Sequence, residues 1–78
     1  MTIRYSKQFV KQLAKHPLKV QRAFYQRIEL FILNPYNPSL HNHVLRGRLK
    51  GFYSINVTGD VRAIYEIIGD EIYLYQMI

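Results

Sequence analysis

The sequence predicts a single α+β domain over residues 1–78 in which a pair of helices packs on a small, twisted, mainly antiparallel sheet. Three observations lead there. Between residues 7 and 33 apolar residues recur every three or four positions, the period of a helix face. After Gly51 the chain turns to short runs of β-branched and aromatic residues, separated by Thr58-Gly59 and Gly69-Asp70. A chain of 78 residues can also build only one small core, which would gain from a bound partner.

Each element follows from its own residues. A short strand opens the chain over 1–5, where Ile3 and Tyr5 alternate with polar neighbours. Ser6 is placed to cap a helix over 7–15 whose apolar stripe is Phe9, Val10, Leu13 and Ala14. His16-Pro17 ends that helix and begins the next, because proline is tolerated at the first helical position. The second helix runs over 17–33, with Val20, Phe24, Ile28 and Phe31 on one face. Asn34-Pro35-Tyr36-Asn37-Pro38 stops it and opens an extended connection. Three strands follow over 52–57, 60–67 and 71–78, joined by tight turns into an antiparallel meander. The order is β-α-α-β-β-β, with the partner of the first strand left open. Tyr5 and Tyr65 are expected in the core, and the other five tyrosines are open between core and base stacking.

Composition narrows the chemistry. Cysteine is absent, which excludes disulfides and thiolate zinc sites and fits a reducing cytoplasm. The N-terminus has no signal-peptide pattern, and charges interrupt every apolar run short of a membrane span, so a soluble cytoplasmic protein is expected. Charge is unevenly placed. Residues 1–50 hold ten of the eleven Lys and Arg against one acid, Glu29, a net +9; residues 51–78 carry a net −3. A basic half of this kind suits nucleic acid or an acidic protein segment, although lysines dotted along a helix also serve solubility.

The stretch HNHVLRGRLKG at 41–51 is the richest in chemistry. His41, His43, Arg46, Arg48 and Lys50 supply phosphate-binding cations and groups that titrate near neutrality. RNA cleavage by internal transfer needs such parts: a base for the ribose 2′-hydroxyl, cations for the phosphorane, and an acid for the leaving oxygen. A solvated basic loop is the plainer reading of the same residues. The contiguous letters HNH do not make an HNH nuclease, whose residues are dispersed over a ββα metal fold, and a His-x-His pair lacks a third metal ligand. Asp60 and Arg62 are the second candidates. Arg62 is the only cation after Gly51 and shares a strand face with Ile64 and Glu66, where it could pair with Glu66 or a neighbouring strand, or hold a phosphate.

These residues bring a resemblance into view. The element order, the N-P-x-N-P connection, L-R-G-R-L-K-G at 45–51 and S-I-N-V-T-G-D-V-R-A-I-Y at 54–65 resemble the RelE/ParE toxin superfamily of type II toxin–antitoxin systems, and most of all its YafQ-like branch. The resemblance covers essentially the whole chain. It implies a toxin that enters the ribosomal A site and cuts mRNA without a metal or cofactor, held in check by a cognate antitoxin in a hetero-oligomer. Matched position by position, His43 corresponds to a catalytic histidine, Asp60 to the branch's acidic residue, and Arg62 to a phosphate-contacting arginine. Arg46, Arg48 and Lys50 fall in the stretch that faces RNA, with His41 beside it. Where RelE itself carries arginine in the strand at 52–57, this chain has Ser54 and Asn56. The branch also continues into a Gly-Thr-His tail, whereas this sequence stops at Ile78, so a shortened and weakened nuclease is expected. Two alternatives belong to other classes. ParE-type members share the fold but inhibit DNA gyrase through protein contact, and an inactive remnant would only bind antitoxin.

Overall fold

A computed structural model describes residues 1–78. Its five strands are β1 (Thr2–Tyr5), β2 (His43–Val44), β3 (Tyr53–Asn56), β4 (Arg62–Ile68) and β5 (Glu71–Met77), and its two helices are α1 (Lys7–Lys15) and α2 (Leu18–Leu33). The strands form one sheet in the order β1-β5-β4-β3-β2. All pairs are antiparallel except β1 with β5, whose parallel register runs from Thr2 opposite Glu71 to Tyr5 opposite Leu74. This supplies the missing partner of the first strand. Short turns join β3 to β4 and β4 to β5, while the parallel pair requires the long crossover that the helices provide.

The way β1 hands over to α1 depends on polar side chains. Ser6 accepts a hydrogen bond from the Phe9 amide at 2.9 Å, which caps the helix, and its hydroxyl donates to the Tyr75 carbonyl at 2.6 Å. Its own amide donates to the Leu74 carbonyl at 2.9 Å. Two turns later Gln12 accepts from the Met77 amide at 2.7 Å. Ser6 and Gln12 thus serve the edge of β5 after the strand beside it has become a helix.

Phe9 and Leu13 of α1 meet Phe24, Ile28 and Phe31 of α2 in a core completed by Ile55, Ala63, Tyr65 and Leu74 of the sheet. Several expectations need correction. Val10 is 54% exposed and Ala14 is also exposed, because α1 lies along β5 and offers the core only its i, i+4 pair. Pro17 precedes α2 rather than starting it: its ψ of 155° is extended, and its carbonyl accepts from Val20 and Gln21 to open the helix. Tyr65 is buried as expected, but Tyr5 remains 40% exposed on the edge strand, with its ring 5.8 Å from Phe9.

The β half differs in its boundaries. β4 starts at Arg62 rather than residue 60, since the Thr58 hydroxyl accepts from the amides of Asp60 and Val61 and holds both in the turn. A bulge where the Ile64–Tyr65 step of β4 faces Leu74 and Gln76 of β5 shifts the register around Tyr75. β2, only two residues long, is an element that the β-α-α-β-β-β order omits. It pairs His43 with Ser54 and Val44 with Tyr53. No helix is long and apolar enough to cross a membrane.

Candidate active site

Arg62 enters the sheet opposite Asn56, two residue pairs from Ser54. The alternation that sends Ile55, Ala63 and Tyr65 into the core sends Ser54, Asn56 and Arg62 to the opposite face. There the guanidinium is held along its length. Nε donates to the hydroxyl of fully buried Ser54 at 2.6 Å, and Nη1 donates to the side-chain oxygen of Asn56. Nη2 lies 3.3 Å from Nδ1 of His43 and 3.5 Å from the His41 carbonyl oxygen. No carboxylate joins it: the only salt bridge in the protein is Arg4 with Glu71, on the far edge of the sheet. Arg62 therefore pairs with its neighbouring strand and not with Glu66, and its charge stands uncancelled by any acid.

His43 reaches Arg62 because β2 sets it directly opposite Ser54. Its Nδ1 also lies 2.8 Å from the His41 carbonyl oxygen. The connection that carries both histidines is anchored on either side. Asn37 caps a 3-10 turn over Pro38–Leu40 by accepting from the Ser39 amide, and Leu40 is fully buried. Asn42 donates to the Pro35 carbonyl at 3.0 Å and accepts from the Tyr65 hydroxyl at 2.8 Å. Burial pushes the Tyr65 phenol up to about 12, against the smaller pull of its bond to Asn42, so it stays a donor throughout the physiological range. His41, caught between these anchors, takes the left-handed conformation, with φ 46° and ψ 47°.

The other candidates stand apart from this pair. Asp60 is exposed in the turn before β4, and its carboxylate makes no hydrogen bond or ion pair, so proximity in sequence does not join it to Arg62. Arg46, Arg48 and Lys50 are exposed around a second 3-10 turn, Gly47–Leu49, which positive φ at Gly47 and Gly51 allows. None of the three makes a hydrogen bond or ion pair with the Arg62 cluster. No three His, Asp or Glu side chains come together as a metal site would require. A cavity of about 380 Å³ opens beside His43, lined mostly by apolar side chains that include Tyr36, Tyr53 and Tyr65. Ser54, Asn56, Asn42 and Tyr65 are not among the residues expected at the site. The i, i+2 spacing of Ser54 and Asn56 in an otherwise apolar strand is the one sign of it in the sequence.

The sheet carries two helices on one face and the arginine–histidine cluster on the other. Residues 3–75 match the family described as ParE toxin of type II toxin–antitoxin system, parDE, and the chain belongs to that family. It is a RelE/ParE-type toxin. Solved structures share its fold. YafQ from E. coli strain BL21(DE3) is 24% identical with a TM-score of 0.75, covering 96% of this chain and 88% of its own. A YoeB/ParE toxin from Agrobacterium tumefaciens is 15% identical with a TM-score of 0.82, covering 99% and 95%. The toxin–antitoxin complex RelBE2 from Mycobacterium tuberculosis contains a chain 21% identical with a TM-score of 0.72, covering 97% and 93%. No curated protein sequence matches the chain.

Proposed function

We propose that this toxin is a ribosome-dependent mRNA endoribonuclease in which His43 and Arg62 form the reacting centre. The observation that carries the reading is the placement of Arg62 beside His43, 3.3 Å apart on the open face of the sheet. Residues 19 positions apart are brought together there, and the arginine is held by Ser54 and Asn56. A cation fixed in this way suits the charge that builds on a phosphorane, and it costs no reorganisation when the charge appears. An imidazole beside it can take the proton of the attacking 2′-hydroxyl or supply one to the leaving oxygen. Arg46, Arg48 and Lys50 would track the RNA backbone of mRNA and ribosome. Asp60 would act only if the bound RNA brought the turn closer. A cognate antitoxin is the second partner we propose, in keeping with the family and with the RelBE2 toxin–antitoxin complex that shares the fold.

The family match to ParE toxins favours one other reading, inhibition of DNA gyrase by protein contact, which would need neither His43 nor Arg62. Mapping mRNA ends by primer extension in a cell-free translation reaction separates the two. We expect new ends that require ribosomes and fall 10²–10⁴-fold with His43→Ala, the range a single acid–base group contributes. Growth inhibition that His43→Ala leaves unchanged, with no new mRNA ends, would assign the chain to the gyrase-directed class.

A further inference from the structure

The left-handed residue at position 41 has no part in the cleavage scheme so far. Nδ1 of His43 has two neighbours that ask for opposite protonation. The His41 carbonyl oxygen, 2.8 Å away, can only accept, and Nη2 of Arg62, 3.3 Å away, can only donate. The shorter contact decides between them. A ring lone pair facing a carbonyl lone pair at 2.8 Å would be repulsive, which favours a proton on Nδ1. Nη2 of Arg62 has that same carbonyl within 3.5 Å, and a carbonyl with two lone pairs can accept from both.

We propose that His41 acts through its backbone as a positioning residue: in the left-handed conformation its carbonyl gathers His43 Nδ1–H and Arg62 Nη2–H, and so fixes His43 as the tautomer with an unprotonated Nε2. His41 is the only non-glycine residue with positive φ, and the conformation is sparsely populated for any residue with a side chain. Two anchors impose it. Leu40 is fully buried on one side, and Asn42 is tied to Pro35 and Tyr65 on the other. In the exposed ring of His43, Nε2 then holds the free lone pair that a general base requires. That last step rests on the nuclease reading, whereas the tautomer does not.

The test reads the tautomer directly. In long-range proton–nitrogen spectra of the ¹⁵N-labelled chain at about pH 8, above the usual histidine pKa of about 6.5, neutral rings distinguish protonated from unprotonated nitrogen. His43, assigned by the signal lost in His43→Gln, is expected to show protonated Nδ1 and bare Nε2, the reverse of the form free histidine prefers. His41→Gly and His41→Asn, which accept the left-handed conformation, should keep that pattern, whereas β-branched His41→Val should lose it. In the translation assay both tolerant variants should cut more than tenfold better than His41→Val. Protonated Nε2 in the unaltered chain, or loss of the pattern in His41→Gly, would overturn the proposal even if His41→Val failed to fold. A preserved pattern in a chain that cuts no mRNA would sink the nuclease reading and leave the role of the His41 carbonyl standing.

Discussion

Ser54 is fully buried and yet polar, and its one visible task is to accept from Arg62. Ser54→Ala removes that acceptor while Asn56 still holds Nη1, so the arginine keeps its place with more freedom. Cleavage should fall about tenfold, equivalent to about 1.4 kcal/mol in the barrier, while Arg62→Ala falls much further. Single-turnover rates beside a thermal melt of each variant check this. Tyr65 gives a pH prediction. Its phenol is raised from 10.0 to about 12 by burial, so the unfolded chain ionises first as pH rises. Its stabilising contribution is therefore complete below about pH 10 and is lost between about 10 and 12. Tyr65→Phe should be less stable at neutrality, having left the Asn42 oxygen without its donor, and should lose less stability on going to high pH. Tyr5, raised in the same direction by burial and by Tyr25, should preserve part of the alkaline loss. Urea unfolding at neutral and alkaline pH reads both effects.

At the scale of elements, the parts with their own periodicity were legible in the sequence. Phe24, Ile28 and Phe31 mark the buried face of α2, and Ser6 marks the start of α1. β2 was not legible, because two residues cannot show an alternation and His43 and Val44 are both exposed. The same gap hid half the site. His43 and Arg62 could each be marked as a reactive type, but their contact depends on the β2–β3 register, which no local pattern states. Asp60 shows the converse: it lies two residues from Arg62 in sequence, yet the Thr58 hydroxyl keeps it in the turn. The handover from β1 to α1 is open to measurement. Ser6→Ala removes both the cap to Phe9 and the bond to Tyr75, and should cost about 1–2 kcal/mol. For a domain of this size that lowers the melting temperature by roughly 4–8 °C per kcal/mol.

The whole molecule is polarised in charge, with a net +9 on residues 1–50 and −3 on the rest. Arg46, Arg48 and Lys50 are exposed and free of acidic partners, so their contribution to RNA binding should be electrostatic and sensitive to salt. Changing all three to glutamine should flatten the slope of log affinity against log salt by about 2 on single-stranded RNA, near 0.7 for each neutralised phosphate. Affinities measured over a series of salt concentrations test this, and an unchanged slope would place the RNA elsewhere on the surface.

The parallel pairing of β1 with β5 has a consequence for how the toxin is born. The second residue of the chain finds its strand partner at position 71, and the serine that starts α1 is satisfied by residues 74 and 75. Arg62 itself exchanges both backbone hydrogen bonds with Ile78. During synthesis the basic loop and both histidines therefore emerge on a chain whose sheet cannot yet close. Contacts between such distant parts of a chain form late. A nascent chain of this topology completes its sheet only when the last strand has been delivered.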